Sequence, residues 1–172
     1  SHWSRWREPN PLLVRHAALL TGGRAIDLAC GLGHNALWLA DRGYTVLGLD
    51  ISGVAIKRAR AEARARGYTD RVAFRQVDLT VYRPAPAAYD LVCVIRYLNR
   101  DLFPAIRAAL KADGLLFYAT LNRRRLETHP DADPRYLLED GELLRAFAGM
   151  QALHAGDEGD ISYLVARQPR PR

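Results

Sequence analysis

Residues 25–35 read Ala25-Ile26-Asp27-Leu28-Ala29-Cys30-Gly31-Leu32-Gly33-His34-Asn35, and this stretch decides the fold. An apolar run enters it, two glycines close it and a helical pattern follows, which predicts a strand, a tight turn and the start of a helix. Glycine permits backbone conformations that other residues avoid, and it lets a ligand approach the main chain closely. The first helical turn adds free N–H groups and the positive end of the helix dipole. We therefore expect a nucleotide-like ligand at this turn.

The rest of the chain alternates between strand and helix patterns. Apolar runs predict strands over 24–29, 44–50, 71–77, 89–95 and 115–121, the last one following a turn over 111–114. Helical periodicity predicts helices over 35–42, 53–66, 101–110 and 139–147. Ser52 and Gly67 are the expected cap and end of the second of these helices. Two final strands, 150–154 and 161–166, are joined by a predicted acidic turn over 156–160.

This alternation predicts an α/β fold, a single domain built on a doubly wound, mostly parallel sheet. Because no helix separates the last two strands, we expect an antiparallel strand at or near the sheet edge. Residues 24–167 would form the core and residues 1–23 a helical N-terminal segment in which Asn10 caps a helix. Trp3 and Trp6 would either cover a ligand or, as we favour, attach this segment to the core.

The composition, 49% hydrophobic and 26% charged over 172 residues, is that of an ordinary soluble domain. Cys30 and Cys93 lie in apolar runs, so we expect reduced, buried thiols and no metal site. The longest apolar run, 115–121, is too short to span a bilayer, and the first residues lack a signal-peptide pattern. We expect a cytoplasmic protein with no membrane partner, and no pattern predicts an oligomeric state.

The formal net charge of +6 would suit nucleic acid or an acidic substrate. The arginines that carry this charge spread along the chain instead of clustering, which favours a coding bias over a binding surface. A nucleic-acid partner is therefore the less favoured interpretation.

Two nucleotide classes compete for the glycine turn. The sequence from Gly31 to Ala36 fits the dinucleotide pattern G-x-G-x-x-[GA], and Asp50 ends the next strand where an acid would bind ribose. A pyrophosphate, however, would be repelled by Asp27. S-adenosylmethionine is cationic and carries no phosphate, so Asp27 would attract it, Asp50 would accept bonds from its ribose hydroxyls and Asp78 one from its adenine amino group. The carboxyl ends of successive parallel strands share one crevice, which brings these three acids together.

The segment from Asp27 to Gly33 resembles the acid-x-Gly-x-Gly-x-Gly loop of class I S-adenosylmethionine-dependent methyltransferases, with Ala29 in place of the first glycine. The family's acids at the ends of the second and third strands match Asp50 and Asp78. The resemblance covers about residues 24–166 and implies a Rossmann-like, seven-stranded sheet whose last strand is antiparallel. Residues 29–35, 96–98 and 134–139 look similar to small bacterial methyltransferases of the tellurite-resistance TehB type.

The resemblance also implies the cofactor, S-adenosylmethionine, and the residues around it. The implied cofactor-binding residues are Asp27, Ala29, Cys30, Gly31, Gly33, Asn35, Asp50, Ile51, Asp78 and Leu79. At some of these positions a structural role is the alternative to cofactor binding. Asp27 would cap the turn, Asp78 would cap a loop, and Asn35 would cap the helix rather than hold the amino-acid end of the cofactor.

Candidates for contact with the acceptor follow the fourth and fifth strands. Arg96 and Tyr97 come directly after the fourth strand, where Arg96 would either orient an anionic substrate or form a salt bridge, and Asn99 belongs to the same set. His129 is either a candidate base or a solvated loop residue. For the run 123–125, a solvated face is favoured over a phosphate clamp.

The predicted reaction is an in-line displacement at a methyl carbon. Alignment of the reactants supplies about 7–11 kcal/mol of such a barrier, so no catalytic triad is expected. After the fourth strand the chain reads Ile95-Arg96-Tyr97-Leu98, unlike the Asn-Pro-Pro-Tyr type of segment associated with methylation of nucleic-acid amino groups. We predict a methyltransferase acting on a small-molecule acceptor under a lid over 122–138. A catalytically silent S-adenosylmethionine-binding module and an RNA methyltransferase are the alternatives.

Overall fold

A computed structural model describes residues 8–172 of the chain. The predicted roles of Trp3 and Trp6 lie outside the described residues. The strands are β1 (Gly23–Leu28), β2 (Tyr44–Asp50), β3 (Val72–Gln76), β4 (Tyr89–Ile95), β5 (Leu110–Leu121), β6 (Gln151–Glu158) and β7 (Ile161–Arg167). The α-helices are α1 (Pro11–Arg15), α2 (His34–Asp41), α3 (Gly53–Arg66), α4 (Phe103–Ala109), α5 (Arg125–Thr128) and α6 (Glu142–Ala146). Short 3-10 helices cover Ala17–Leu19, Arg100–Leu102 and Pro134–Tyr136.

The seven strands form one sheet in the order β3-β2-β1-β4-β5-β7-β6. Strands β1 to β5 pair in parallel, whereas β7 is antiparallel to both β5 and β6. The antiparallel strand therefore lies one position in from the edge. This topology confirms the predicted α/β fold with a doubly wound, mostly parallel sheet.

Apolar side chains cover both faces of the sheet. Strand β4 is buried at six of its seven positions, because alternate residues point to opposite faces and both faces are covered. Leu91 and Cys93 join the core under α1, α2 and α3, and Val92 and Val94 join the core under α4 and α6. This leaves the carboxyl ends of the parallel strands as the edge of the sheet at which a ligand would bind.

Local signals set the ends of several elements as predicted. The Asn10 side chain accepts a hydrogen bond from the backbone N–H of Leu12 at 2.9 Å and caps α1. The Ser52 hydroxyl accepts one from Ala55 at 3.1 Å and caps α3, and Gly67 ends α3 in the left-handed conformation. Helix α1 stops at Arg15, however, and only a 3-10 turn over Ala17–Leu19 continues the predicted helical segment.

One predicted turn is wrong and another is shorter than expected, because backbone pairing extends a strand into each of them. The turn expected over 111–114 is an irregular part of β5, where the backbone N–H of Asp113 donates to Gln168 and that of Gln168 donates to Gly114. The acidic turn expected over 156–160 is shorter, since β6 continues to Glu158 opposite Ile161. In both cases another backbone segment supplies hydrogen bonds that a turn would have left to water.

Candidate functional site

Three acids lie along the carboxyl edge of β1, β2 and β3. Asp27 is in β1 opposite Gly48 of β2, Asp50 ends β2, and Asp78 follows the end of β3 by two residues. Since these strands are neighbours in the sheet, the three acids lie along one edge of it.

The glycine turn after β1 has an unusual backbone conformation. Ala29, Gly31 and Gly33 all have positive φ angles, 60°, 55° and 83°. A Cβ on Gly33 would lie 2.6 Å from the ring of Phe74, so this glycine is required for packing against β3. A Cβ on Gly31 would meet nothing within 4 Å, so the main chain there stays open to a ligand. Ala29 takes the left-handed conformation at a cost of about 1–2 kcal/mol.

Asp50 ties the glycine turn to the end of β2. Its Oδ2 accepts from the backbone N–H of Gly31 at 2.9 Å, and its Oδ1 accepts from Ser52 at 2.8 Å. The backbone N–H of Cys30 donates to the carbonyl of Leu49 at 2.8 Å. A carboxylate oxygen has a second lone pair, so Asp50 can still accept hydrogen bonds from ligand hydroxyls.

Asp27 is buried with an unused acceptor. The residue is 1% exposed, and among the described residues its Oδ2 has no hydrogen-bond partner. Burial raises the pKa of Asp27 from 3.8 to about 8, and the nearby charge of Asp50 adds to the rise. An unsatisfied buried polar group costs about 1–3 kcal/mol. A ligand that brings positive charge or hydrogen-bond donors would offset this cost, and a phosphate would increase it.

The two cysteines are buried and free, as predicted. Burial raises the pKa of both thiols, and the charge of Asp27 raises them further. They are therefore neutral, unreactive groups at neutral pH. Cys30 offers the site its backbone rather than a thiolate.

Asp78 caps the loop that follows β3. Its Oδ1 accepts from the backbone N–H of Thr80 at 2.9 Å and from the Thr80 hydroxyl at 2.7 Å, and these bonds lower the pKa of Asp78. The neighbouring Leu79 is buried in the core, whereas Ile51 at the end of β2 is 65% exposed. Ile51 thus presents an apolar side chain beside the acids, and Leu79 can contribute only its backbone.

Asn35 does not cap α2. The residue before the helix is Gly33, which has no side chain to cap it. The Oδ1 of Asn35 instead accepts from the backbone N–H of Asn10 at 2.7 Å. This bond holds the start of the N-terminal segment against the first turn of α2, a contact that the sequence did not indicate.

The residues after β4 shape the neighbouring part of the edge. Arg96 is exposed with a φ of 60°, and its backbone N–H donates to Ala119 at 2.7 Å. The carbonyl of Tyr97 accepts from the buried hydroxyl of Tyr118 at 2.9 Å. Asn99 caps the following 3-10 helix by accepting from Asp101 at 3.1 Å. Asn99 therefore has a structural role, and Arg96 is held at the edge through its main chain.

Residues 122–138 form a loop closed at its base. The backbone N–H of Leu138 donates to Leu121 at 2.9 Å, and that of Arg123 donates to Leu138 at 3.2 Å. Two of the three arginines in the run 123–125 are ion-paired, Arg123 with Glu139 at 2.7 Å and Arg125 with Asp160 at 3.2 Å. These pairs favour a solvated face over a phosphate clamp.

Arg100 is not among the residues that the sequence predicts. Its guanidinium bonds both carboxylate oxygens of Glu142, at 2.6 and 2.9 Å, and the carbonyls of Arg135 and Leu137 at 2.7 and 2.9 Å. Arg100 thereby fixes the end of the loop to the residues after β4. No local pattern could have found it, because these partners lie 35 to 42 positions away.

A groove of about 540 Å³ lies between this loop and the end of β5. Apolar and polar residues both line it, among them Leu121, Thr128, His129, Pro130, Tyr136 and Leu137. A second hollow of about 260 Å³ lies at the opposite edge of the sheet, between Arg24 and Arg71, far from the acids.

Comparison with known proteins identifies the family. Residues 25–114 match the family model described as a methyltransferase domain. The chain belongs to the class I S-adenosylmethionine-dependent methyltransferases. S-adenosylmethionine is the cofactor of this family, and a buried acid beside an open glycine turn fits a cationic ligand of this kind.

The relatives of this methyltransferase chain include small-molecule enzymes. It is 30% identical over 145 residues to the ubiquinone biosynthesis O-methyltransferase of Idiomarina loihiensis, covering 70% of this chain and 57% of the relative. It is 31% identical over 142 residues to that of Methylococcus capsulatus, covering 72% and 59%. The chain therefore spans less than two thirds of the length of these relatives. The crystal structure of an S-adenosylmethionine-dependent methyltransferase from Mesorhizobium loti shares the fold, with a TM-score of 0.73, 20% identity and coverage of 92% and 99%.

Two features are absent from the described part of this methyltransferase. None of its helices has both the length and the apolar character needed to cross a bilayer. Residues 8–172 contain no group of three or more His, Cys, Asp or Glu side chains arranged to hold a metal ion.

Proposed function

We propose that this chain binds S-adenosylmethionine at the glycine turn and transfers its methyl group in line to a small-molecule acceptor. The observation that carries the proposal is the buried, unpartnered Oδ2 of Asp27 beside the open backbone of Gly31. Such a site favours a ligand with positive charge and hydrogen-bond donors. It disfavours a pyrophosphate, which separates this site from a dinucleotide site with a similar glycine pattern.

Each predicted cofactor residue then has a chemical role. A bound cation favours the ionised form of Asp27, which then provides negative charge below the turn. The main chain of Ala29, Cys30 and Gly31 approaches the ligand directly. Asp50 accepts bonds from the ribose hydroxyls, and such bonds to a charged acceptor contribute about 1.5–3 kcal/mol each. At the other end of the site, Ile51 offers an apolar surface to the adenine. Asp78 and the backbone of Leu79 contact the polar edge of the adenine. Gly33 and Asn35 act at the start of α2, one by packing and the other by holding the N-terminal segment.

The cofactor, when bound, supplies a methyl group already activated by the sulfonium. The protein then has to hold the acceptor atom in line with that methyl group and keep water away. Alignment of this kind supplies about 7–11 kcal/mol of the barrier. Arg96 and Tyr97, at the end of the strand next to β1, are the residues that we propose to position the acceptor.

The acceptor is proposed to be a small molecule bound in the groove under residues 122–138. Its volume of about 540 Å³ lies within the range of about 300–1,000 Å³ that is typical of ligand sites. The relatives from Idiomarina loihiensis and Methylococcus capsulatus are named O-methyltransferases, which supports an oxygen atom as the methyl acceptor.

Calorimetry and a transfer assay test the proposal together. We expect S-adenosylmethionine and S-adenosylhomocysteine to bind to the wild-type chain, and Asp27→Asn to weaken both. We also expect S-adenosylhomocysteine to form when hydroxylated small molecules are added, as measured by mass spectrometry. Binding without transfer to any acceptor would favour the silent module instead. Transfer only to RNA, with an affinity that falls steeply as salt rises, would favour the RNA methyltransferase.

A further inference from the structure

We propose that the outer edge of the sheet, formed by α3 and β3, is a docking surface for the phosphate backbones of double-stranded DNA. The inference goes beyond the proposed function and does not rest on it, because the surface uses none of the predicted cofactor residues. Three observations carry the inference: where the net charge lies, which cations are left without ion pairs, and how these cations flank the outer strand.

The positive charge of the protein is concentrated in one part of the fold. Residues 53–76, which contain α3, β3 and the turn between them, hold seven basic side chains and only two acids, Glu62 and Asp70. This stretch therefore carries five of the six net positive charges of the chain. Arginines occur along the whole sequence, but elsewhere acids nearly balance them. A local excess of positive charge favours a polyanionic partner.

Ion pairs within the fold do not neutralise this excess. Arg66 pairs with Glu62 at 2.9 Å, and the other seven ion pairs between described residues lie outside residues 53–76. Five exposed cations, which we call the basic edge, are Lys57, Arg58, Arg64, Arg71 and Arg75. Within residues 8–172 none of these five forms an ion pair. Their charge is therefore available to a partner.

The basic edge forms two rows, because β3 is the outermost strand on its side of the sheet. One row lies on α3. In β3, Val72 and Phe74 are buried in the same core as Ala59 of α3. Alternate residues of a strand point to opposite faces, so Arg75 points away from α3. Arg71, directly before β3, belongs with Arg75 to the second row.

The spacing of the cations favours a polymer over a small anion. Lys57 and Arg64 are two helical turns apart, which is about 10 Å. Arg71 and Arg75 are about 13 Å apart along the strand direction. A single phosphate group can contact one or two of these side chains, whereas a polymer can contact all five. Four of the five are arginines, whose planar guanidinium groups bind phosphate oxygens in pairs.

Two other polyanionic partners fit the surface less well. Proteins that bind single strands stack the bases on accessible aromatic rings. The ring next to the basic edge, Tyr68, is half-buried with the guanidinium of Arg71 5.4 Å from its centre, and its hydroxyl donates to Asp41. An anionic membrane would require an apolar helix face for insertion. Ile56 and Ala59 of α3 are instead buried in the core.

The outer strand is protected against pairing with another strand. The guanidinium of Arg60 donates two hydrogen bonds, at 2.7 and 3.0 Å, to the carbonyl of Phe74 in β3. These bonds occupy an acceptor of the outer strand that a further strand would need. A partner therefore meets the side chains of this edge rather than its backbone.

The separation of the two rows favours B-form DNA over duplex RNA. The thickness of α3, about 10 Å, separates the rows. This value is close to the width of the major groove of B-form DNA, about 12 Å, whose two borders are the phosphate backbones. The major groove of an RNA duplex is deep and narrow. The contacts are to phosphates, so we expect binding that does not depend on the base sequence.

Fluorescence anisotropy with a labelled DNA duplex of random sequence tests the inference on the full chain. We expect the logarithm of the binding constant to fall with the logarithm of the salt concentration with a slope of about −4, because five phosphate contacts release counterions. A triple variant carrying Lys57→Gln, Arg64→Gln and Arg75→Gln should reduce the slope to about −2. Its affinity at about 0.1 M salt should be about 10²-fold lower.

A second triple variant is the matched control, with the same change in net charge. It carries Arg123→Gln, Arg135→Gln and Arg170→Gln, and each of these arginines is ion-paired in the wild-type chain. We expect it to keep the wild-type slope and affinity for the duplex. Circular dichroism should show that both triple variants are folded.

Three contrary results would overturn the inference. The first is no binding of the DNA duplex at low salt. The second is an equal loss of affinity in both triple variants, because net charge alone would then explain binding. The third is equal or tighter binding of polyglutamate, duplex RNA or phosphatidylglycerol vesicles by the wild-type chain. Failure to bind S-adenosylmethionine in calorimetry would overturn the proposed function instead, while salt-dependent duplex binding lost only in the first triple variant would still support the docking surface.

Discussion

The backbone N–H of Gly31 donates to Oδ2 of Asp50 at 2.9 Å, which joins the glycine turn after β1 to the last residue of β2. The second oxygen of the same carboxylate accepts from Ser52 at 2.8 Å. Asp50 therefore shapes the site before any ligand arrives. Its proposed contact with the ribose hydroxyls is added to this structural role.

Replacing Asp50 should thus damage both the turn and the cofactor site. We expect Asp50→Ala to weaken S-adenosylmethionine binding by about 3–6 kcal/mol, because two charged-acceptor bonds to ribose are lost. Titration calorimetry measures this change. Asp70→Ala, an exposed loop acid on the opposite edge of the sheet, is the matched control. A wild-type affinity in Asp50→Ala would refute the ribose contact.

Asp27 should make the cofactor-free protein less stable as the pH rises. Its pKa is 3.8 in an unfolded chain and about 8 in the fold. Between these values the folded state holds a proton that the unfolded state has released, so the free energy of unfolding falls with rising pH. The slope is at most about 1.4 kcal/mol per pH unit.

Asp27→Asn removes this titration while keeping the size of the side chain. We expect the variant to be more stable than the wild type near pH 8. This gap, the difference in the free energy of unfolding, should narrow as the pH approaches about 5. Urea unfolding of the two proteins across this range measures the gap. A gap that does not change with pH would show that Asp27 is ionised in the folded chain.

Replacing Gly33 should destabilise the protein far more than replacing another glycine that has a positive φ angle. In Gly33→Ala the new methyl group would lie 2.6 Å from the Phe74 ring in a residue with a φ of 83°. We expect a loss of about 2–5 kcal/mol in the free energy of unfolding. Gly67→Ala is the control, since its φ is 72° but nothing lies within 4 Å. This control should lose only about 1–2 kcal/mol. Equal losses in thermal unfolding would mean that the Phe74 contact does not matter.

Arg100 should hold the end of the 122–138 loop in place. Arg100→Ala leaves Glu142 and the carbonyls of Arg135 and Leu137 without this partner. We expect faster amide exchange over 134–142 and a loss of about 1–3 kcal/mol in stability. Arg123→Ala removes an ion pair whose side chains are 47% and 52% exposed. It should cost no more than about 1 kcal/mol. Exchange rates that rise equally in both variants would rule out a special role for Arg100.

Much of the fold could be predicted because its signals are local. Strands β2 and β4 and helix α3 have the predicted bounds, since apolar runs, the Ser52 cap and the Gly67 stop act over a few neighbouring residues. The expected turn over 111–114 failed for the opposite reason. Its sequence favours a turn, but pairing with the distant Gln168 draws it into β5.

Some features of the candidate site could likewise be predicted from the sequence, and others could not. The sequence by itself determined the glycine turn, the acids at the strand ends and the family resemblance, because parallel strands bring their carboxyl ends to one edge whatever else packs around them. Only the tertiary structure decided that Asp27 is buried without a partner for Oδ2, that Asn35 bonds to Asn10 instead of capping α2, and that Arg100 reaches Glu142 across 42 positions. Burial, desolvation and long-range hydrogen bonds depend on neighbours in space, and the order of residues along the chain does not specify those neighbours one by one.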